Sequence, residues 1–168
     1  MAGDERRDAF VLRYGSVYEH SPWVAERVFP KAAGVRDPER LARLMAAEVE
    51  RANDEEKLEL IRAHPDLAGR AALAGKLGKA STAEQASAGI DQCTPEEYER
   101  FRSLNERYRE KFGFPFVMAV RDSNRHAILA GFEERLRNDR RTEFERAIAE
   151  VHKIARSRLE AMEHTDEE

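Results

Sequence analysis

The stretch TPEEYERFRSLNERYREKFG, Thr94 to Gly113, decides the fold. Thr94 followed by Pro95 offers a hydroxyl N-cap with proline at the first helical position, and Glu97 three residues on completes a capping box. Tyr98, Phe101, Asn105, Tyr108 and Phe112 step by three and four, so they form one stripe on a helix surface. Gly113 stands where a helix C-terminus favours a left-handed residue. The stretch therefore reads as one capped helix of about 18 residues with a single buried face.

The same signals recur on either side of it. Ser21-Pro22 and Asp37-Pro38 are two more cap-and-proline starts, and capping boxes are predicted at Ser81 with Glu84 and at Thr142 with Glu145. Helical spacing is predicted over Arg6 to Tyr14, Pro22 to Phe29, Pro38 to Arg51, Asp54 to Arg62, Pro65 to Ala74, Ala127 to Arg137 and Thr142 to Met162. Only Phe114 to Val120 has the content of a strand. No comparable second run exists to pair with it, so an extended or helical buried segment is expected. Ala74 to Ala80, with two Gly and two Lys, reads as a loop-like hinge. With nine Gly and six Pro in 168 residues, the chain is expected to be all-α, a single domain of about eight helices with flexible tails at 1–7 and 163–168.

Charge and cysteine content exclude several function classes. Lys and Arg number 29 against 33 Asp and Glu, a net charge of −4, and the arginines are scattered among glutamates with no basic stripe. No nucleic-acid partner is expected from such a surface. The longest apolar run, Phe114 to Val120, is far below the roughly 20 residues of a membrane-spanning helix, so no membrane partner is expected either. The single cysteine, Cys93, rules out an internal disulfide and a cysteine-based zinc cage. Met1 to Asp8 is mostly charged rather than a secretory signal, and Asp166-Glu167-Glu168 is not a peroxisomal tripeptide, so a cytoplasmic location is expected.

Three positions invite chemistry. His64 precedes Pro65, which biases its backbone toward an extended form at a break between helices. If Pro65 starts the next helix, the imidazole lies beside free N–H groups, although an irregular N-cap explains the position as well. Ser81 and Glu84 are explained by a capping box alone, but Gln85 and the Gly/Lys loop before them also suit a cleft. Arg158 falls near the centre of the stripe formed by Phe144, Ile148, Val151, Ala155 and Met162. A buried guanidinium needs an anion, and both a structural carboxylate such as a Glu and a bound ligand answer that need. No two histidines stand at i, i+3 or i, i+4, so no metal site is expected, and neither Ser81 nor Cys93 has a nucleophile signature. General acid/base chemistry at His64 remains.

The segments His64-Pro65-Asp66-Leu67-Ala68, Ser81-Thr82-Ala83-Glu84-Gln85 and Leu104-Asn105 with Tyr108 resemble the 2-oxo-4-hydroxy-4-carboxy-5-ureidoimidazoline (OHCU) decarboxylase family. So does Lys111-Phe112-Gly113-Phe114-Pro115-Phe116. The likeness extends upstream to Ser21-Pro22-Trp23-Val24-Ala25-Glu26 and downstream through Ile128-Leu129, Phe132, Arg135-Leu136 and Asn138 to Arg158-Leu159. It implies that His64 is the catalytic acid/base and that Glu84 joins it, accepting from ureido N–H groups. It also implies substrate contacts from Pro65, Ser81, Thr82, Ala83, Glu84 and Gln85, from Phe116, Val117, Met118, Ala119 and Val120, and from Arg158. The segment from Phe116 to Val120 would offer its backbone groups to the amide-like edges of a ureido-imidazoline carboxylate. The implied activity forms (S)-allantoin in urate breakdown without a cofactor, because the substrate's own C=N accepts the electron pair left by carbon dioxide. A homodimer is implied as well. The alternatives are a non-catalytic helical ligand-binding or interaction module that retains the pocket, the same enzyme class acting on another ureido or hydroxy-carboxylate compound, and a helical DNA-binding domain, against which the scattered arginines count.

Overall fold

The computed structural model describes residues 2–67, 83–86, 88–121 and 123–167, and every regular element among them is a helix. In chain order these are α1 (Ala2–Tyr14), α2 (Trp23–Ala32), α3 (Pro38–Glu50), α4 (Asp54–Arg62), a 3-10 turn (Ile90–Gln92), α5 (Pro95–Phe112), α6 (Arg125–Arg135) and α7 (Arg140–Glu167). The all-α expectation holds, and α1 and α7 run into both segments expected to be tails.

Two starts follow the expected capping chemistry. Asp37 accepts from the Arg40 N–H, and Thr94 with Glu97 forms the reciprocal capping box that opens α5. Gly113 closes α5 at φ +80, its N–H donating to the Arg109 carbonyl. Asn53 and Asn124 supply two further caps, at α4 and α6. The helix expected over Ala127 to Arg137 runs two residues earlier, Arg125 to Arg135, and three other departures have a visible cause. Ser21 does not cap α2: its hydroxyl donates to the Glu19 carbonyl at 2.9 Å, inside a tight turn in which His20 has φ +48. Thr142 does not cap α7 either, because Asp139 accepts the Thr142 N–H and the helix is already under way at Arg140. Helix α2 continues through Pro30 to Ala32 instead of stopping at Phe29, its last turn closed by the Ala33 N–H on the Phe29 carbonyl.

The chain divides into two compact units, residues 1–63 with 151–168 and residues 64–150. The first has an apolar core in which Val24, Val28, Leu41, Met45, Val49 and Ile61 are fully enclosed. Gly15 sits where a Cβ would lie 2.4 Å from the Val11 carbonyl oxygen, so no larger residue fits this turn. In the second unit, Phe101, Tyr108 and Phe112 of α5 form the stripe read from sequence, and Phe116 stacks on Phe132 of α6 with ring centroids 3.7 Å apart. After a bend at Phe114, residues 115–120 run without helix or turn and have no partner strand among the described residues.

Charged residues enter this second core. Glu143 is 0% exposed, and its carboxylate meets Arg135 at 2.9 Å, the Tyr108 hydroxyl and the Asn138 amide. Burial pushes the Tyr108 hydroxyl's pKa well above its ordinary value. Removing one member of a buried ion pair strands the other, so Arg135→Met is expected to lower the unfolding free energy by about 3–5 kcal/mol. Urea unfolding measures this, and a loss below about 1 kcal/mol, the scale of a surface pair, would contradict it.

Candidate active site

His64 follows the C-cap residue of α4, Ala63, and is 6% exposed with its Nε2 in the interior. Pro65 and Asp66 lie outside any helix, so a helix does not begin at Pro65 as expected; positions 68–74 of that predicted helix lie outside the described residues. The reason is visible in the partners of this segment. The Leu67 carbonyl accepts from the Asn105 amide at 3.0 Å, the Asp66 carbonyl takes a longer contact from the Gln85 amide at 3.5 Å, and the Asp66 carboxylate pairs with Arg109 at 2.8 Å. Side chains from α5 and from the turn 83–86 thus hold the backbone beside His64.

Asn105 is 5% exposed, and its Oδ1 has no hydrogen-bond partner among the described residues. An amide in the apolar stripe of α5 was the sequence signal for this contact, since a polar group in a buried row needs a specific acceptor or donor.

Of the predicted segment Ser81 to Gln85, Ser81 and Thr82 lie outside the described residues. Ala83 is exposed, Glu84 is half-buried and Gln85 is buried, all in a helical turn at 83–86. Gln85 reaches the His64 loop through the Asp66 carbonyl.

In the segment Phe116 to Val120, Phe116, Val117 and Val120 are buried while Met118 and Ala119 are half-exposed. Two of its backbone groups are already used within the protein. Arg135 Nη1 donates to the Val117 carbonyl at 2.6 Å, and the Ala119 N–H donates to Glu150 Oε1 at 3.3 Å. Neither Arg135 nor Glu150 was given a role from sequence. Helical spacing held the signal, because Glu143 and Glu150 lie two turns apart beside Ala147 on the buried face of α7.

Arg158 belongs to the other unit. Its Nη2 meets Glu19 at 2.8 Å, both side chains are 9% exposed, and Nη1 makes longer contacts to the Ser16 and Val17 carbonyls at 3.4 Å. Of the two partners left open for a buried Arg158, the structural carboxylate is present as Glu19.

A family model described as OHCU decarboxylase matches residues 4–160. The 2-oxo-4-hydroxy-4-carboxy-5-ureidoimidazoline decarboxylase of Haloferax volcanii is 49% identical over 152 residues, which cover 90% of this chain and 88% of that protein. A uric acid degradation bifunctional protein of Bacillus sp. (strain TB-90) is 40% identical over 151 residues, covering 90% of this chain but only 29% of the longer relative. Among solved structures, the crystal structure of an (S)-allantoin synthase matches with a TM-score of 0.72 at 35% identity, over 92% of this chain and 50% of that one.

Breaking the Arg158–Glu19 pair leaves a buried carboxylate without its cation. Arg158→Ala is expected to cost about 3 kcal/mol of stability. A melting temperature within about 2 °C of wild type, at most about 1 kcal/mol for a chain of this size, would show that Glu19 does not depend on Arg158.

Proposed function

The chain belongs to the OHCU decarboxylase family, and from that premise we infer that it converts 2-oxo-4-hydroxy-4-carboxy-5-ureidoimidazoline into (S)-allantoin, a decarboxylation in the breakdown of uric acid. The observation that carries this reading is the relative 49% identical over 90% of the chain, which is named for that reaction. His64 supports it from the structure, as a buried imidazole at a non-helical break.

The reaction asks for orientation and proton transfer. As the C–CO2 bond breaks, its electron pair moves toward the substrate's adjacent C=N, and carbon dioxide leaves. The ring nitrogen that takes the pair gains a proton from solvent, the hydroxyl-bearing carbon becomes a carbonyl as the hydroxyl proton departs, and the ureido-bearing carbon gains a proton on one face. His64 is the group proposed to contact the hydroxyl and move its proton, a task for which a positioned imidazole contributes about 100- to 10,000-fold. Glu84, half-buried on the turn that also carries Gln85, is proposed to accept from ureido N–H groups. Pro65, the residues 81–85 and the segment Phe116 to Val120 complete the proposed lining. For Arg158, which pairs with Glu19 and also meets the Ser16 and Val17 carbonyls, the role proposed from the family resemblance is a contact to a carbonyl or carboxylate oxygen of the substrate.

The finer parts of the reading are a carboxy-lyase that needs no cofactor, works as a homodimer and resides in the cytoplasm. They rest on the family resemblance and on a substrate that contains its own electron sink. No described helix is long and apolar enough to cross a membrane.

The test generates OHCU in situ from urate and follows the circular dichroism of allantoin. Wild-type protein is expected to give (S)-allantoin faster than the spontaneous reaction, and His64→Asn to lower kcat about 100-fold or more with the fold intact. Racemic allantoin formed at the uncatalysed rate in the presence of wild-type protein would overturn the reading.

A further inference from the structure

Residues 64–150 bury more charge than an apolar core requires, and two of these charges end on the backbone of one short segment. In a trans peptide the C=O and the N–H point in opposite directions. The Val117 carbonyl and the Ala119 N–H belong to the two trans peptides that flank Met118, so the Met118 N–H and C=O point away from whatever holds them. The held edge receives a cation at the carbonyl, Arg135 Nη1 at 2.6 Å, and an anion at the amide, Glu150 Oε1 at 3.3 Å. Each charge thus meets the end of the peptide dipole that it stabilises.

Both charged groups are themselves held. Arg135 is fixed by Glu143 at 2.9 Å, and its guanidinium carbon lies 4.3 Å from the centroid of the Phe116 ring. Glu150 has Arg146 at 3.7 Å, one turn back along α7. A neutral contact would have sufficed to bury the segment, because Phe116, Val117 and Val120 already pack as apolar side chains. What the two ions add is a defined edge. Met118, between the two clamped residues and half-exposed, is left with its N–H and C=O on the opposite edge, and neither bonds to a described residue.

We propose that Arg135 and Glu150 are positioning residues that clamp one edge of the segment Phe116 to Val120, so that its other edge presents a donor and an acceptor to the ureido and ring amide groups of the substrate. The proposal rests on the reading above that this segment lines the substrate site. It differs from a purely structural role because turning the peptides around Met118 would leave the segment buried and yet withdraw the recognition pair.

Glu150 is the informative position, since it meets the Ala119 N–H directly and its ion-pair partner Arg146 is half-exposed. Glu150→Gln keeps an oxygen for the Ala119 N–H, whereas Glu150→Leu removes it. Under the OHCU assay, Glu150→Leu is expected to raise KM about tenfold and to lower the enantiomeric excess of the allantoin, while Glu150→Gln stays within about threefold of wild type. Equal KM and equal enantiomeric excess in wild type and both variants would overturn the clamp while leaving the decarboxylase reading intact. A wild-type protein that leaves OHCU at its spontaneous rate would overturn that reading and the clamp with it. Should Glu150→Leu fail to fold, amide hydrogen exchange on the wild-type chain decides. The Ala119 amide is expected to exchange at least about tenfold more slowly than that of Met118, relative to their intrinsic rates, and equal protection would overturn the proposal.

Discussion

A guanidinium with almost no solvent and a carboxylate with none face each other inside residues 64–150, and the rest of that unit is arranged around satisfying them. Two such ions out of water cost several kcal/mol each unless every remaining donor and acceptor finds a partner. The Glu143 carboxylate has three partners, Arg135, Tyr108 and Asn138, while Arg135 also donates to the Val117 carbonyl. The network therefore joins α5, the extended segment, α6 and the start of α7 through directional bonds that apolar contacts alone do not supply. The specificity lies in the geometry, because Leu and Phe side chains tolerate small rotations that a 2.6 Å charge-assisted bond does not.

Much of the helical architecture was legible because its signals are local. The proline and hydroxyl at Thr94-Pro95, the carboxylate at Asp37 and the glycine at Gly113 act over three or four residues, and the structure shows all three in those roles. Ser21 and Thr142 carry the same local signal and do something else. In the first case the left-handed His20 and the Glu19 carbonyl draw the hydroxyl into a turn; in the second Asp139 lies three residues earlier and takes the cap. Local rules name candidates for a cap, and competition among neighbours chooses between them.

The candidate site was legible in another way. His64 stood out from the backbone bias before proline, and Arg158 from the cost of a cation on an apolar stripe, so each was flagged by a conflict between residue type and place. The partners that resolve these conflicts come from elsewhere in the chain: Glu19 for Arg158, Asn105 for the Leu67 carbonyl beside His64. Spacing rules carry no information about such pairings. Glu143 and Glu150 passed as ordinary members of a charged helix, because on a surface-rich sequence a buried glutamate looks like any other until its neighbours in space are known.

The extended segment that follows Gly113 has a consequence for the order of assembly. Helix α5 carries its own caps and local charge pairs, such as Arg102 with Glu106, so its turns form within about a microsecond wherever the chain permits. Residues 114–120 have no such internal bonds. They gain their partners only when Arg135 and Glu150, later in the sequence, have been brought into place by α6 and α7, and closing those loops precedes any reward from the contacts. In a refolding chain, helical content therefore returns ahead of the ordered segment, and the part of the molecule assigned to reading the substrate is among the last to be completed.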